Sequence, residues 1–331
     1  WDVPTEFNPL CSWNGIAGPG VNQETCYKPK NYDGRFRGPV TLKQALANSL
    51  NVPSVKIMYL AGIDNVINTA ENLGVATLKD RSRYGLSLVL GAAEVKLLDM
   101  VSAYGVFSQE GVKREPTGIL KVEDGNGRVL EEYKDQGQKV LNEQTAREIN
   151  NILSDDNARA PMFGLRGLLS LGNRPAAAKT GTTQDPNSET KARDAWIIGY
   201  TPSLVAGVWT GNNDNTPIEK GGAGVMAAGP IWHNFMTKAL EGAPIEDFTK
   251  PDPMITDKLI LNGQYQISVN LKINKNNGLL ATDQTPPDLL QEKSFTEIHT
   301  ILYWLNKNNP QGPPPENPEN DSQFKNWEVS L

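Results

Sequence analysis

The stretch that decides the fold is Ala176-Ala177-Ala178-Lys179-Thr180-Gly181-Thr182-Thr183. Three small apolar residues lead into a lysine, a threonine, a glycine and two more hydroxyls. This composition suits a strand edge that faces an anionic ligand: Lys179 supplies a point charge, Thr180 and Thr182 supply hydroxyl donors, and Gly181 leaves room for another backbone. An isolated lysine on an exposed strand is the simpler interpretation of a lone Lys-Thr-Gly, so the surrounding chain has to decide between the two.

Downstream of it, Ala195–Tyr200 and Leu204–Thr210 read as two further strands joined by the tight turn Thr201-Pro202-Ser203. Short links of this kind make neighbouring strands antiparallel. The polar link 184–193 is expected to lie over the cleft, and Gly221–Gly224 to form a turn before a helix from about Pro230 to Leu240, with proline at its first turn. Upstream, Leu42, Ala45 and Leu46 follow a possible cap at Thr41, and Pro53 forces this helix to stop near Asn51. A second helix is expected to start after Pro53 and to end at Gly62. Between the two sits Asn48-Ser49-Leu50-Asn51, which places Ser49 and Asn51 two residues apart at a helix break. Such residues serve as caps, and here both side chains can also reach a cleft. Apolar spacing of three and four predicts helices over Asp64–Leu73, Glu94–Phe107 and Asn142–Leu153, while Asp124-Gly125-Asn126-Gly127 predicts a hairpin. The mixture of helices, hairpins and sheet predicts a mixed α/β (α+β) fold.

The chain has 331 residues, 38% of them hydrophobic, enough for two domains. A first domain over 1–241, a proline-bearing linker over 242–256 and a small β-rich extension over 257–331 with a Pro-rich tail are expected. In that extension Gln264–Ile273 is expected to return through Asn277-Gly278 as a hairpin with Leu279–Thr282, followed by a short helix over Thr296–Leu305. The net charge of −6, without long blocks of like charge, argues against a nucleic-acid surface. No run approaches the ~18 apolar residues of a membrane-spanning helix, and residue 1 opens inside a polar loop, so the N-terminus reads as a cut edge. The only cysteines, Cys11 and Cys26, share one loop over residues 1–38. A disulfide between them is favoured, with two reduced thiols as the alternative, and pairing would imply an oxidising, extracytoplasmic compartment. His233 and His299 have no metal-ligand spacing, and no metal is expected.

Ser49-Leu50-Asn51 followed by Lys179-Thr180-Gly181 resembles the second and third motifs of the penicilloyl-serine transferases, in their usual order. Tyr27–Gly34, Gly38–Val55 and Asp194–Asn213 extend the resemblance to the transpeptidase domain of bifunctional class A penicillin-binding proteins, over about residues 1–240. The resemblance implies a serine β-lactamase/transpeptidase-like fold, with an antiparallel sheet flanked by helices. It also implies peptidoglycan D,D-transpeptidation through an acyl-serine, inhibited by β-lactams, with D-Ala-D-Ala stem peptides as partners and no cofactor. It places Ser49 and Lys179 in catalysis and Asn51, Thr180, Gly181, Thr182 and Thr183 in substrate binding, on the outer face of a bacterial cytoplasmic membrane. D,D-carboxypeptidase action and a non-catalytic β-lactam-binding module are the alternatives. The family's nucleophile lies in a Ser-x-x-Lys motif that precedes the serine-x-asparagine motif, and none occurs before Ser49. Ser188–Lys191 and Ser322–Lys325 match literally, but both follow Lys179 in polar sequence and are assigned no role. The nucleophile, the first two strands of the sheet, a glycosyltransferase domain and a membrane anchor are therefore expected upstream of Trp1, as a missing segment of the same protein, leaving this chain inactive on its own.

Overall fold

The computed structural model describes residues 1–185, 187–188, 191–218 and 224–331. Residues 221–223 of the Gly-rich turn expected over Gly221–Gly224, and 186, 189 and 190 of the 184–193 link, therefore lie outside the described residues. The chain divides into two compact units, one of Leu42–Pro253 and one of Trp1–Thr41 with Met254–Leu331. The second boundary falls inside the expected linker 242–256. The first cuts the range 1–241, because the N-terminal 41 residues pack with the C-terminal ones.

In the Leu42–Pro253 unit the helices are α1 (Leu42–Ala47), α2 (Asn51–Ala61), α3 (Ile63–Leu73), α4 (Leu97–Ser108), α5 (Glu143–Leu153), α6 (Asp156–Phe163), α7 (Gly224–Ala227) and α8 (Gly229–Ala239). The strands are β1 (Val112–Lys113), β2 (Lys121–Glu123), β3 (Val129–Glu132), β4 (Gln138–Lys139), β5 (Ala177–Gln184), β6 (Ala192–Tyr200) and β7 (Val205–Gly211). β2 and β3 form the hairpin expected around Asp124–Gly127. The expected stop at Gly62 is present, whereas α1 ends already at Ala47 and α2 opens at Asn51 with Pro53 in its first turn, where a proline lacks no helical bond. α2 ends on Gly62 in a positive-φ conformation, with the Gly62 N–H donating to Met58 O. Asn142 caps α5 by accepting from Gln144 N at 2.8 Å.

The central sheet runs β5-β6-β7, antiparallel throughout. Strand alternation divides its side chains between two helical layers. On one face Ala178 and Ile197 join Trp232 and Met236 of α8 in a buried cluster. Gly199 sits on this face because a side chain there would place its Cβ 2.3 Å from the Trp232 ring. On the other face Ala177 and Tyr200 are fully buried with Leu153 of α5, and Leu46 of α1 packs against them. Tyr200 donates its hydroxyl to Asn150 Oδ1 at 2.7 Å, so the phenol is not left unpaired. α4 covers the same face over β7, where Gly207 leaves room for Val101 and Leu97.

The second unit contains β8 (Gln266–Asn274), β9 (Leu290–Ile298), α9 (Ile301–Trp304) and α10 (Phe324–Glu328). Here the sequence expectation needs correction. β8 pairs with β9 along its whole length, from Gln266↔Ile298 to Asn274↔Leu290, and the segment Leu279–Thr282 contributes only the bridge Ile273↔Leu280. Asn277-Gly278 does make a turn, with Gly278 N donating to Asn274 O at 2.8 Å. The chain then continues to a nine-residue partner, whose last residues, Thr296–Ile298, fall in the segment expected as helix. The loop over 1–38 is irregular as expected and carries a Cys11–Cys26 disulfide. Trp327 is completely buried and packs edge-on against Phe7, so the C-terminal segment docks on the N-terminal loop within this unit. Among the described residues no helix is long and apolar enough to cross a membrane.

Candidate active site

Ser49 lies where α1 ends and α2 begins. Leu50 N donates to Ala45 O at 2.9 Å and Ser49 N to Leu46 O at 3.2 Å, closing the last turn of α1. Ser49 then takes a left-handed backbone conformation, with φ of 54°. A serine pays roughly 1 kcal/mol for that region, which few L-residues other than Asn and Asp adopt readily. The strain is held in place by Leu50, only 1% exposed, and by α2, whose first residue is Asn51.

Lys179 stands on β5 opposite Ile198, on the sheet face that carries Ala177 and Tyr200. α1 packs on that same face through Leu46, which brings the Ser49 turn to the strand. The Lys179 ammonium donates to Ser49 Oγ and to Thr180 O, the latter at 2.8 Å. Burial lowers its pKa from 10.5 to about 8, because the surroundings disfavour the charged form. The lysine and serine, 130 residues apart, thus form one part-buried polar unit.

Of the predicted site residues, the structure joins Ser49 directly to Lys179. Asn51 opens α2 two residues beyond Ser49, and Thr180, Gly181, Thr182 and Thr183 continue β5 past Lys179. Thr180, Gly181 and Thr182 are partly buried and Thr183 is exposed. Gly181 has a packing reason besides access: a Cβ there would sit 3.3 Å from that of Trp196, its cross-strand partner. Beyond Thr183 the β5–β6 register shifts, and buried Asp185 pairs with Arg193 at 3.3 Å. Neither literal Ser-x-x-Lys run has a lysine suited to deprotonate a serine, since Lys191 and Lys325 are both exposed. Among the described residues no group of three His, Cys, Asp or Glu could hold a metal ion.

The residues that sequence reasoning missed are on α6, a helix it did not assign. Asn48 donates to Ala158 O at 2.8 Å, and Arg159, 4% exposed, reaches the carbonyls of Leu153, Leu169 and Ala176. The only signal for α6 is its cap: Asp155 accepts from Asn157 N and Ala158 N.

The family model of the penicillin binding protein transpeptidase domain matches residues 15–237. The chain belongs to that family. This transpeptidase domain is 36% identical over 224 residues to penicillin-binding protein 1A of Aquifex aeolicus and 36% identical over 228 residues to penicillin-binding protein 2D of Bacillus subtilis. These alignments cover 67% and 68% of the chain but only 29% and 32% of the relatives, so the chain spans about three tenths of their length. Among solved structures, the PonA1 protein of Mycobacterium tuberculosis in complex with penicillin V is 30% identical, with a TM-score of 0.61, covering 74% of this chain and 66% of that one. Penicillin-binding protein 1A of Haemophilus influenzae shares the fold at 24% identity and a TM-score of 0.61, over 89% of this chain and 43% of that one. The mixed α/β transpeptidase fold expected from the sequence is thus the observed one, and the three strands β5–β7 supply its antiparallel sheet.

Proposed function

We propose that this transpeptidase domain forms one wall of a peptidoglycan D,D-transpeptidase site. The observation that carries this reading is the contact between Ser49 Oγ and the Lys179 ammonium, in surroundings that lower the lysine pKa to about 8. A serine nucleophile in a Ser-x-x-Lys segment outside this chain attacks the penultimate D-Ala carbonyl of a stem peptide. The C–N bond to the terminal D-Ala breaks, and Ser49 passes a proton from the nucleophile's lysine to the leaving amine. Lys179, mostly charged at neutral pH, stabilises the negative charge that develops beside it. The acyl group then moves to an amine of a neighbouring stem. Asn51 holds the substrate amide, the Thr182 hydroxyl binds the terminal carboxylate, and the Thr182 N–H is one of two oxyanion donors. Thr180, Gly181 and Thr183 shape the strand against which the peptide lies.

β-Lactams are expected to acylate the same nucleophile, a reading supported by the penicillin V complex of the PonA1 relative. The disulfide agrees with an extracytoplasmic location, on the outer face of a bacterial membrane reached through an anchor outside this chain. Water in place of the acceptor amine would make the same site a D,D-carboxypeptidase. The exposed lysines of both Ser-x-x-Lys runs favour a second statement: this chain by itself binds ligand without turning it over.

Labelling with a fluorescent penicillin followed by denaturing electrophoresis tests the assignment. The complete protein should carry covalent label, on its segment upstream of Trp1, and Lys179→Ala or Ser49→Ala should suppress it by about 100-fold or more. Covalent label on the 331-residue chain alone would show that the nucleophile lies within it.

A further inference from the structure

We propose that helix α6 sets the separation of Ser49 from Lys179, with Asn48 and Arg159 acting as positioning residues for that pair. Two neighbouring residues of α6 reach the two walls of the site. Toward the Ser49 turn, Ala158 O accepts from Asn48 Nδ2 at 2.8 Å, and the same amide group donates to Gln44 O at 2.9 Å inside α1. Asn48 directly precedes Ser49, so this bond holds the end of α1 one residue before the left-handed turn. Toward the Lys179 strand, the next residue, Arg159, donates to Ala176 O at 3.4 Å, immediately before β5 begins at Ala177. The same guanidinium donates to Leu169 O and Leu153 O, at 2.9 and 2.8 Å, and is neutralised by Asp156 through Nε at 2.8 Å. A third tie lies at the start of α6, where Lys43 of α1 pairs with the capping residue Asp155 at 2.6 Å.

The side-chain chemistry matches a spacer better than a filler. Arg159 is 4% exposed, and a planar fork with five donors fixes several carbonyls in one geometry, which an apolar residue of equal volume cannot do. Asn48 is 5% exposed, and its amide nitrogen is committed to the Gln44 and Ala158 carbonyls. Besides these bonds, the turn and the strand are joined by Leu46 packing on the Ala177–Tyr200 cluster and by the Lys179–Ser49 bond itself, the separation that α6 sets. A displacement of about 1 Å between groups that exchange a proton can cost up to about 100-fold in rate. Loosening the contact also admits water to Lys179, which moves its pKa back toward that of an ordinary lysine.

This inference rests on the proposed roles of Ser49 and Lys179. It is tested in the complete protein by the second-order rate of acylation by fluorescent penicillin, measured against pH. In the parent protein the rate should fall as pH rises through about 8, where Lys179 loses its charge. Arg159→Met and Asn48→Ala should each slow acylation about tenfold at neutral pH and move that alkaline limb upward by about half a pH unit or more, and Arg159→Lys should recover part of both. Ile67→Val, in a fully buried position of a separate cluster around α3, provides a control for general destabilisation and should leave the limb unmoved. Acylation by Arg159→Met and Asn48→Ala at the parent rate with an unmoved limb, or a loss equal to that of the control, overturns the proposal. If Arg159→Met does not fold, Asn48→Ala carries the test, because it removes two hydrogen bonds and no buried charge. Lys179→Ala in the same series keeps the two readings apart: parent-like acylation there overturns the relay itself, and the spacer with it, whereas loss there beside a parent-like Arg159→Met overturns the spacer alone.

Discussion

At Lys179, the proposed role and the stability of the fold pull in opposite directions. Its pKa in the fold is about 8 against 10.5 for an ordinary lysine, so between these values the unfolded chain binds more protons than the native one. The contribution of Lys179 to stability is therefore unfavourable at neutral pH and becomes less so as pH rises through that window. Replacing it by methionine, of similar length and uncharged, should raise the unfolding free energy at pH 7 by about 1–2 kcal/mol even after the bonds to Ser49 and Thr180 are lost. The gain should shrink above pH 8 and be gone before pH 10.5, as followed by urea unfolding of the two proteins across pH. A Lys179→Met chain less stable than the parent at pH 7 would show that the ammonium is solvated rather than buried. Residue types at this scale were legible in the sequence: a lysine and a serine, each with its flanking motif, pointed to each other before any geometry was available. The left-handed backbone of Ser49 was not, because it follows from how two helices are joined and serine carries no signal for it.

Elements with a strong period or a strong stop were equally legible. α3, α5, α8 and the strands β5–β7 lie where periodicity, caps and turns placed them, since each buries one face and is bounded by Gly, Pro or Asn. Two failures have distinct causes. α6 is eight residues long and buries an arginine, so it lacks the apolar stripe by which helices are recognised, and its positioning role stayed hidden with it. β8 was paired with the nearest alternating run, whereas the true partner, β9, is exposed along its whole length and carries no burial pattern to read. The contact between β6 and α8 allows a prediction at this scale. Gly199→Ala would place a methyl 2.3 Å from the Trp232 ring and 3.0 Å from Ala177 O, and neither rigid neighbour can yield without moving an element. A loss of about 1–3 kcal/mol is expected, by the usual cost of overpacking a well-filled core. A crystal structure of the variant should show α8 displaced from the sheet. Unchanged stability with α8 in place would mean that this layer is less tightly packed than described.

For the whole molecule, the division into two units could not be read along the chain, because the first 41 residues and the last 78 share one unit across the entire Leu42–Pro253 segment. Hydrogen bonds with no periodic signal make that unit. Trp1 Nε1 donates to His299 O at 3.0 Å, and Asn326 Nδ2 to Cys11 O at 3.0 Å. Gln323 Nε2 donates to Phe7 O. The N-terminal partner in these contacts is an irregular loop, so its order depends on a covalent closure. The Cys11–Cys26 bond joins residues 15 apart, and the chain-entropy account of such a loop gives a stabilisation of about 3 kcal/mol. Because Cys11 is 3% exposed and its carbonyl receives Asn326, loss of the bond should loosen the C-terminal helix α10 as well as the loop. Cys11→Ser/Cys26→Ser, or reduction of the parent, is therefore expected to speed hydrogen exchange of amides around Trp327 by about 100-fold, the factor that 3 kcal/mol implies. Protection near Trp327 that is equal in the oxidised and reduced proteins would locate the order of this unit in the docking of α10 alone.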